Sequence, residues 1–480
     1  MSKKVLLATI LVMTMSRWQG VKAQDSVFSY AYQGNTMYYI IDSTGNAVVV
    51  PPLWPDYDET NDATWTGYTE PSGAVVVPDS VPFGGTMHAV TEVGHDAFYN
   101  CELVTFITLP ASVSAFGEYA FGKCFSLTSI TIPEGVTELP RWCFWNDPLL
   151  ASVTFPSSLV QINYRAFYHC NSLQSISLPD GLTTIGNQAF FECTGLQSVS
   201  FPNGLTTLGT AAFYGCSNLQ SVDIPGSVSV IDEWCFNQCS NLASVTLHEG
   251  TETIGYCTFR ECTSLTTINY PSTLKEIGDY SFQFDSLLAI PLILPESLIY
   301  LGIVAYGDCH SIVTASLPGS IGEVPGQLFY GCRSLSTVTL GDGIWSIGEQ
   351  AFNHCPNIDT LFVKSAYPPG VGPLTDSTFF TYNSIVVVPC GTRNVYIADP
   401  IWSEFAEIIE DCGVGIHEED FPEVKIRVEN SCIVVDGAES EPVSIFDING
   451  KCVRNSDLPS GVYFVKIGNR QARKVVVIRY

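Results

Sequence analysis

The middle of the chain carries a repeating pattern of apolar positions. In residues 173–193 an L-x-x-I-x-L sequence, formed by Leu173, Ile176 and Leu178, precedes a Pro-Asp-Gly turn, a second apolar pair and an aromatic residue. Apolar and polar positions alternate within the first part, which predicts a short β-strand with one buried face. The Pro and Gly that follow predict a tight turn at the end of this strand.

The pattern recurs at a fixed distance. Twelve aromatic anchors follow one another in steps of 23 residues, with a single step of 24: Phe98, Phe121, Phe144, Phe167, Phe190, Phe213, Phe236, Phe259, Phe282, Tyr306, Phe329 and Phe352. One coil of this length cannot bury its apolar side, whereas stacked coils bury a continuous core. The period therefore predicts a right-handed leucine-rich-repeat solenoid of about twelve coils, an α/β-type fold rich in β-structure.

The coil sequence LPDGLTTIGNQAFFEC at residues 178–193 resembles the BspA-like (Treponema-type) leucine-rich repeat, and the resemblance covers about residues 82–363. It implies repeats at 87–363 between an N-terminal cap at 24–86 and a C-terminal cap at 364–411. It also implies a non-enzymatic surface protein that acts in protein binding and adhesion, with a host matrix protein or a bacterial partner as its ligand.

A different strand pattern follows an acidic linker at 412–423. Five to six alternating segments in residues 424–480 predict a small C-terminal β-sandwich. The sequences VSIFDINGKCV, LPSGVYFVKI and KVVVI resemble the C-terminal sorting domain of type IX secretion in Bacteroidetes, with Gly461, Tyr463 and Lys474 as motif residues. The resemblance implies export across the outer membrane and removal of this domain, and a generic accessory module is the alternative.

Residues 1–23 have the pattern of a secretory signal peptide. A basic start precedes a stretch at 5–15 that is apolar except for two threonines, and small residues flank the position before Gln24. No later stretch approaches the roughly 20 apolar residues of a membrane span. We therefore expect a secreted or outer cell-surface protein without a transmembrane segment.

The charge of the chain limits its partners. The formal net charge is −27, and residues 24–415 hold 8 basic residues against 38 acidic ones. A surface of this charge repels the phosphate backbone, so we expect no nucleic-acid partner.

Seventeen cysteines in a secreted chain normally indicate disulfides, but their positions favour another role. Ten lie three residues after an aromatic anchor, where two other coils have Asp147 and Asp285. Neighbours in this column are about 5 Å apart, wider than the Cβ separation that a disulfide prefers, so we expect a buried ladder of thiols. Scattered disulfides and a metal site are the alternatives. The candidate disulfides are Cys390 with Cys412 and Cys432 with Cys452.

No motif for catalysis or cofactor binding is present. The chain has no C-x-x-C, H-E-x-x-H or G-x-S-x-G sequence and no phosphate-binding glycine loop. We therefore expect no enzyme activity, no catalytic residue, no metal and no cofactor.

The outward positions of the predicted strands are the candidate ligand contacts. They carry mainly Ser and Thr, and we select Ser175, Ser177, Ser198, Ser200, Ser221 and Asp223. Such side chains suit stacked parallel strands in any case, through cross-strand pairing of hydroxyls. As a binding face they fit polar protein segments or glycan hydroxyls, so a glycan-binding surface protein is the alternative function.

One coil, at residues 287–309, breaks the pattern. It contains the 24-residue step, and its outward strand positions are Pro291 and Ile293. Exposed apolar residues on this face would form a contact patch, whereas a kink packed on itself is the alternative. The expected partners are thus a protein or glycan ligand at the cell surface and, through the C-terminal domain, the secretion machinery.

Overall fold

The computed structural model describes three long parts of the chain and the C-terminal strands. The described residues are 27–54, 64–371, 384–412, 425–429, 432–436, 443–447, 455, 461–467 and 473–477. The predicted signal peptide at 1–23 and nearly all of the predicted acidic linker lie outside them.

A mostly antiparallel sheet lies before the repeats. Its strands run in the order β1-β2-β3-β6-β5, and β3 and β6 are parallel, whereas β4 pairs with the first strand of the repeats. The buried side chains of Tyr39 and Val49 contact the core of the repeats. The six strands are β1 (Phe28–Tyr32), β2 (Asn35–Ile41), β3 (Ala47–Val50), β4 (Gly73–Val76), β5 (Ser80–Phe83) and β6 (Thr86–Val93).

Each coil contributes a strand of two to five residues to a parallel array that we call the strand face. Neighbouring strands pair in register, and the array is divided into three sheets, with interruptions after β11 and after β21. Its strands are β7 (Val104–Thr108), β9 (Ser129–Thr131), β11 (Ser152–Thr154), β13 (Ser175–Ser177), β15 (Ser198–Ser200), β17 (Ser221–Ile224), β19 (Ser244–Leu247), β21 (Thr267–Ile268), β23 (Leu292–Ile293), β25 (Thr314–Leu317), β27 (Thr337–Leu340), β29 (Thr360–Val363), β31 (Ile385–Pro389) and β32 (Glu407–Asp411).

A second parallel array consists of two-residue strands. Eight of them, from β10 to β24, form one uninterrupted sheet, and the second residue of each is buried. The strands are β8 (Ala115–Phe116), β10 (Glu138–Leu139), β12 (Gln161–Ile162), β14 (Thr184–Ile185), β16 (Thr207–Leu208), β18 (Val230–Ile231), β20 (Thr253–Ile254), β22 (Glu276–Ile277), β24 (Tyr300–Leu301), β26 (Glu323–Val324), β28 (Ser346–Ile347) and β30 (Gly370–Val371).

An eight-residue arc closes each coil, from four residues before the aromatic anchor to three after it. In the arc of Phe121, the backbone N–H groups of Tyr119, Phe121 and Lys123 donate to carbonyl oxygens of the next coil. The residues two before and two after the anchor have positive φ in all twelve arcs, and only Gly215 and Gly331 among them are glycines. The arcs are therefore turns, not helices.

The expected leucine-rich-repeat solenoid is confirmed. It has about thirteen turns of roughly 23 residues, nearly all strand and turn, with almost no helix. The described repeats include one 3-10 turn at Gly319–Ile321, and the region after them has helix α1 (Arg393–Ala398) and a 3-10 turn at Trp402–Glu404. Within the described residues, no helix is long and apolar enough to cross a membrane.

The core is a stack of aromatic rings along the solenoid. Neighbouring anchor rings have centroids 5.1–6.0 Å apart and planes inclined by 2–21°. Every anchor is at most 1% exposed. Burial of a Phe side chain stabilises by roughly 1.5–3 kcal/mol, so the stack joins the coils energetically as well as geometrically.

Thiols line the core beside this stack. Nine of the ladder cysteines donate an S–H hydrogen bond, 2.8–3.2 Å long, to the carbonyl oxygen of the anchor one coil earlier. Burial raises the pKa of Cys193, one of these thiols, to about 12. The thirteen cysteines that the structure describes as free are all buried, which makes them poor nucleophiles.

The described residues of the C-terminal segment form two antiparallel sheets. One has two strands, β33 (Lys425–Glu429) and β34 (Cys432–Asp436). The other has three, β35 (Val443–Asp447), β36 (Gly461–Ile467) and β37 (Arg473–Val477).

Candidate ligand-binding surfaces

The structure places the six selected polar residues together. Ser175 pairs with Ser198, Ser177 with Ser200, and Ser198 with Ser221 in the five-stranded sheet of the strand face. All six side chains, including that of Asp223, are exposed. They lie in this row because alternate residues of a strand point to the same side, and because each coil repeats the register of the last.

These side chains have few partners of their own. Within the described residues, the hydroxyl groups of Ser175, Ser177, Ser198 and Ser200 make no hydrogen bond to another residue. Asp223 differs, because its Oδ1 lies 2.7 Å from Nε2 of His248 at the surface. The serine hydroxyls therefore keep both their donor and their acceptor capacity for a ligand.

The irregular coil interrupts the strand face three coils after the end of this row. Strand β23 does not pair with β21 and instead begins a new sheet with β25. The extra residue shifts the register, and Pro291 has no N–H to donate. Ile293 is 67% exposed and Leu287 is 51% exposed, so the coil presents apolar side chains to solvent.

A surface that the sequence analysis missed lies on the arcs. We call it the cation–aromatic patch and define it by Lys123, Arg141, Trp142, Trp145, Arg165 and Tyr168. Lys123 lies 5.2 Å from the ring centroid of Trp145, and Arg141 lies 5.1 Å from that of Trp142. Arg165 lies 4.8 Å from the ring centroids of both Tyr164 and Tyr168. The motifs PRWCFW and NYRAFYH were the available signal.

Two carboxyl groups occupy the thiol ladder. Asp147 and Asp285 are fully buried, and burial raises the pKa of both well above the usual value of a carboxyl group. Oδ1 of Asp147 accepts a hydrogen bond of 2.8 Å from the backbone N–H of Cys124, and Oδ2 has no partner among the described residues.

Cys390 and Cys412 form a disulfide that joins the strand ends of β31 and β32. Together with Glu410 they are the one set of potential metal ligands that comes together within 4.8 Å in the described part of the chain. The disulfide occupies both sulfur atoms, so this set does not favour a metal. Cys432 begins β34, whereas Cys452 lies outside the described residues, so their pairing stays a prediction.

The three predicted sorting-motif residues lie in the three-stranded C-terminal sheet, separate in sequence from the repeats. Gly461 begins β36 and pairs with Val477, Tyr463 pairs with Val475, and Lys474 lies in β37 opposite Phe464. The structure therefore puts the three motif residues on two adjacent strands.

Comparison with known families decides what the repeats are. The model of the BspA type leucine-rich repeat region matches six copies, at residues 87–177, 160–289 and 284–383. The chain belongs to the BspA-type leucine-rich repeat family. No curated protein matches it.

Solved structures of several bacterial proteins, including leucine-rich repeat proteins, are similar to this chain. A leucine-rich repeat protein of Bacteroides ovatus is 24% identical with a TM-score of 0.44, over 72% of this chain and 94% of that one. A leucine rich cell surface protein of Faecalibacterium prausnitzii is 21% identical with a TM-score of 0.44, over 81% and 96%. The pneumococcal vaccine antigen PcpA is 17% identical with a TM-score of 0.43, over 81% and 99%.

Proposed function

We propose that this chain is a non-enzymatic secreted or cell-surface protein that binds a protein partner in adhesion, either a host matrix protein or a protein of another bacterium. Membership of the BspA-type family supports this class of function. The observation that carries the proposal is the exposure of Ile293, 67%, at an outward position of the strand face. An apolar side chain left in water at the centre of a long polar surface is typical of a contact for a partner.

The surrounding residues support the same interpretation. Pro291 and Leu287 are exposed in the same coil, whereas the outward residues of strands β9 to β21 are polar. A partner would cover the apolar side chains and meet the serines Ser198 and Ser200 at the rim, the arrangement found in protein–protein interfaces.

A binding panel with one matched pair of variants tests this proposal. The mature chain from Gln24 is presented to immobilised matrix proteins and to bacterial cells. Ile293→Ser should weaken binding about tenfold or more. Ile299→Ser is the control, because Ile299 is 60% exposed beside the two-residue strands of the same coil. Equal effects of the two changes, or no ligand in either panel, would contradict the proposal.

A second candidate function is glycan binding by the strand face. The unpartnered hydroxyls of Ser175, Ser177, Ser198 and Ser200 favour it, because weak hydrogen bonds to sugar hydroxyls would add along the row. A glycan array distinguishes the two functions. The quadruple Ser→Ala variant should lose a glycan signal but retain the binding that Ile293 supports.

The route to the cell surface is also a proposal. It consists of a signal peptide at 1–23, export by type IX secretion through a sorting domain at 424–480, and cleavage in the linker at 412–423. Deletion of residues 474–480 should leave the protein in the periplasm. Mass spectrometry of the surface fraction would contradict this route if it found the Tyr480 terminus there, or normal export after the deletion. The cap boundaries at 24–86 and 364–411 stay predictions.

A further inference from the structure

The second parallel array is interrupted where it passes the irregular coil. Its eight-stranded sheet ends at β24, and β26 begins a new sheet. The N–H group of Gly302 donates to the carbonyl oxygen of Ile277 one coil earlier, but the equivalent residue of the next coil is Pro325, which has no N–H. No such hydrogen bond therefore connects the next coil to Leu301, and the row of paired two-residue strands ends here.

Four large apolar side chains are exposed around this interruption, and we call them the second-array patch. They are Ile299, Tyr300 and Ile303 of the irregular coil and Trp345 two coils later, with exposed fractions of 60%, 47%, 45% and 67%. Gly322 occupies the position of Ile299 in the coil between them. A Cβ atom on Gly322 would lie 2.9 Å from Nε1 of Trp345, so the indole ring extends over this glycine towards the irregular coil. Because Gly322 has no side chain, none stands between Trp345 and Ile299 at this position.

Carboxylate groups lie beside these apolar side chains. Oδ1 of Asp279 accepts hydrogen bonds from the hydroxyl group of Tyr300, over 2.9 Å, and from the N–H group of Ile303, over 3.0 Å. Glu276 and Glu323 occupy the position of Tyr300 in the coils before and after, and both are exposed. Neither glutamate has a basic partner within the described residues. The patch is thus apolar in its centre and negative at its edge.

The charge around the patch determines which partner complements it. The two donors to Asp279 are neutral, and the basic residue of the same coil, Lys275, pairs with Glu252 at 2.8 Å. The negative charge at the edge of the patch is therefore available to the cations of a ligand. A second copy of this acidic chain would add like charge, and a nucleic acid or an anionic polysaccharide is repelled in the same way.

We propose that the second-array patch binds a basic amphipathic segment of another polypeptide. The apolar side chains of this segment cover Ile299, Ile303 and Trp345, and its lysine or arginine side chains pair with Glu276 and Glu323. The irregular coil and the coil of Trp345 are two steps apart, about 10 Å along the solenoid, which is close to the length of two turns of an α-helix. This site goes beyond the proposed function, because it uses the second parallel array and not the strand face.

Calorimetry with a model peptide tests the site in the mature chain. The peptide consists of leucine and lysine with all leucines on one helical face, and the wild-type protein should bind it with an affinity that falls as salt rises. The double variant Ile299→Ser/Trp345→Ser should bind about tenfold or more weakly. Val160→Ser/Val230→Ser is the matched control, because these side chains are 42% and 46% exposed in or next to strands of the same array. It should bind as the wild type does, and thermal unfolding should confirm that every variant is folded.

The carboxylates at the edge of the patch have a matched pair of variants of their own. Glu323→Gln should weaken peptide binding about threefold and reduce its dependence on salt, because it removes one charge that faces the lysines. Glu138→Gln, at the same position of an earlier coil, should change neither.

Four results would overturn the proposal. These are no binding by the wild type, equal losses in the two double serine variants, equal binding of a peptide with serine in place of leucine, and tighter binding of a neutral oligosaccharide that is lost in Trp345→Ser. The third result would reduce the site to charge attraction, and the fourth would assign it to sugars. Ile293→Ser separates this site from the proposed function, because it should leave peptide binding unchanged.

Discussion

The strand face and the arcs belong to the same coils but display different surfaces. On the strand face, Ser175, Ser198 and Ser221 follow one another in register, and one coil is nearly interchangeable with the next. On the arcs, equivalent positions carry Tyr119, Trp142 and other unrelated residues. The repeat therefore fixes the core residues and the backbone of each coil, whereas the exposed side chains of the arcs differ from one coil to the next.

The largest effect should come from the interior side of the arc. Phe213→Ala removes one ring from the centre of the aromatic stack, and the cavity should lower the free energy of unfolding by roughly 3–5 kcal/mol. Phe201→Ala is the control, because Phe201 is only partly buried and meets Phe213 edge-on. Chemical denaturation measures both changes, and equal losses would show that the stack has no special place in the core.

The next effect concerns the carboxyl group in the thiol ladder. Burial raises the pKa of Asp147 in the folded state. Its contribution to the free energy of unfolding is therefore greatest below about pH 4, where the carboxyl group is protonated in the folded and the unfolded protein. The contribution falls as the pH rises, until the carboxyl group also deprotonates in the folded protein. Asp147→Asn keeps an acceptor and a donor without titrating. The stability difference between variant and wild type should therefore move in favour of the variant by about 1.4 kcal/mol per pH unit above pH 4.

Unfolding free energies measured at several pH values between 4 and 7 check this expectation. Asp223→Asn serves as the control, because Asp223 is exposed on the strand face beside His248. A difference between Asp147→Asn and wild type that did not change with pH would mean that Asp147 is ionised in the folded protein.

A smaller change in stability should test the backbone conformation of the arcs. Ala211 has φ of 54°, whereas Ala212, its neighbour, is not among the residues with positive φ. Glycine adopts a positive φ without cost, so in Ala211→Gly this gain offsets the loss of the methyl group. The free energy of unfolding should stay within about 0.5 kcal/mol of wild type. Ala212→Gly should cost about 1–2 kcal/mol. The reverse order in thermal unfolding would contradict the assignment of φ.

The smallest effect belongs to the strand face. Ser198→Ala removes an exposed hydroxyl that has no partner among the described residues, so stability should change by less than about 0.5 kcal/mol. A larger loss in the same unfolding measurement would mean that the hydroxyls bind one another along the row, and that the face is structural rather than available to a ligand.

The sequence was sufficient to predict the solenoid, because the residues that form its core recur at a fixed spacing. The anchors and the thiols recur at one spacing, and a repeated environment selects the same residue type at each recurrence. The cation–aromatic patch has no such signal. Lys123 lies two residues after its anchor, Arg141 lies three before, and Arg165 lies two before. Only the path of the arcs brings these three side chains together, and no fixed interval in the sequence records it.

The backbone conformation of the arcs could not be predicted from the sequence either. Positive φ is normally marked by glycine, but Gln188 and Glu192 adopt it with side chains that carry no such mark. The hydrogen bonds from each arc to the next coil hold these residues in place, and this cooperation between coils is not a local property of the sequence.

The irregular coil shows that the hydrogen bonds between arcs persist where the strand face is interrupted. Although its strand loses its pairing to β21, the backbone N–H groups of Tyr280, Phe282 and Phe284 still donate to Ile303, Ala305 and Gly307 one coil on. The hydrogen bonds between arcs thus join neighbouring coils wherever the aromatic anchors are aligned, even where the strands do not pair. Genes for such chains can gain or lose whole repeats by recombination, and each exchange would lengthen or shorten the displayed surface by about 4.8 Å while the new junction forms the same bonds as the old.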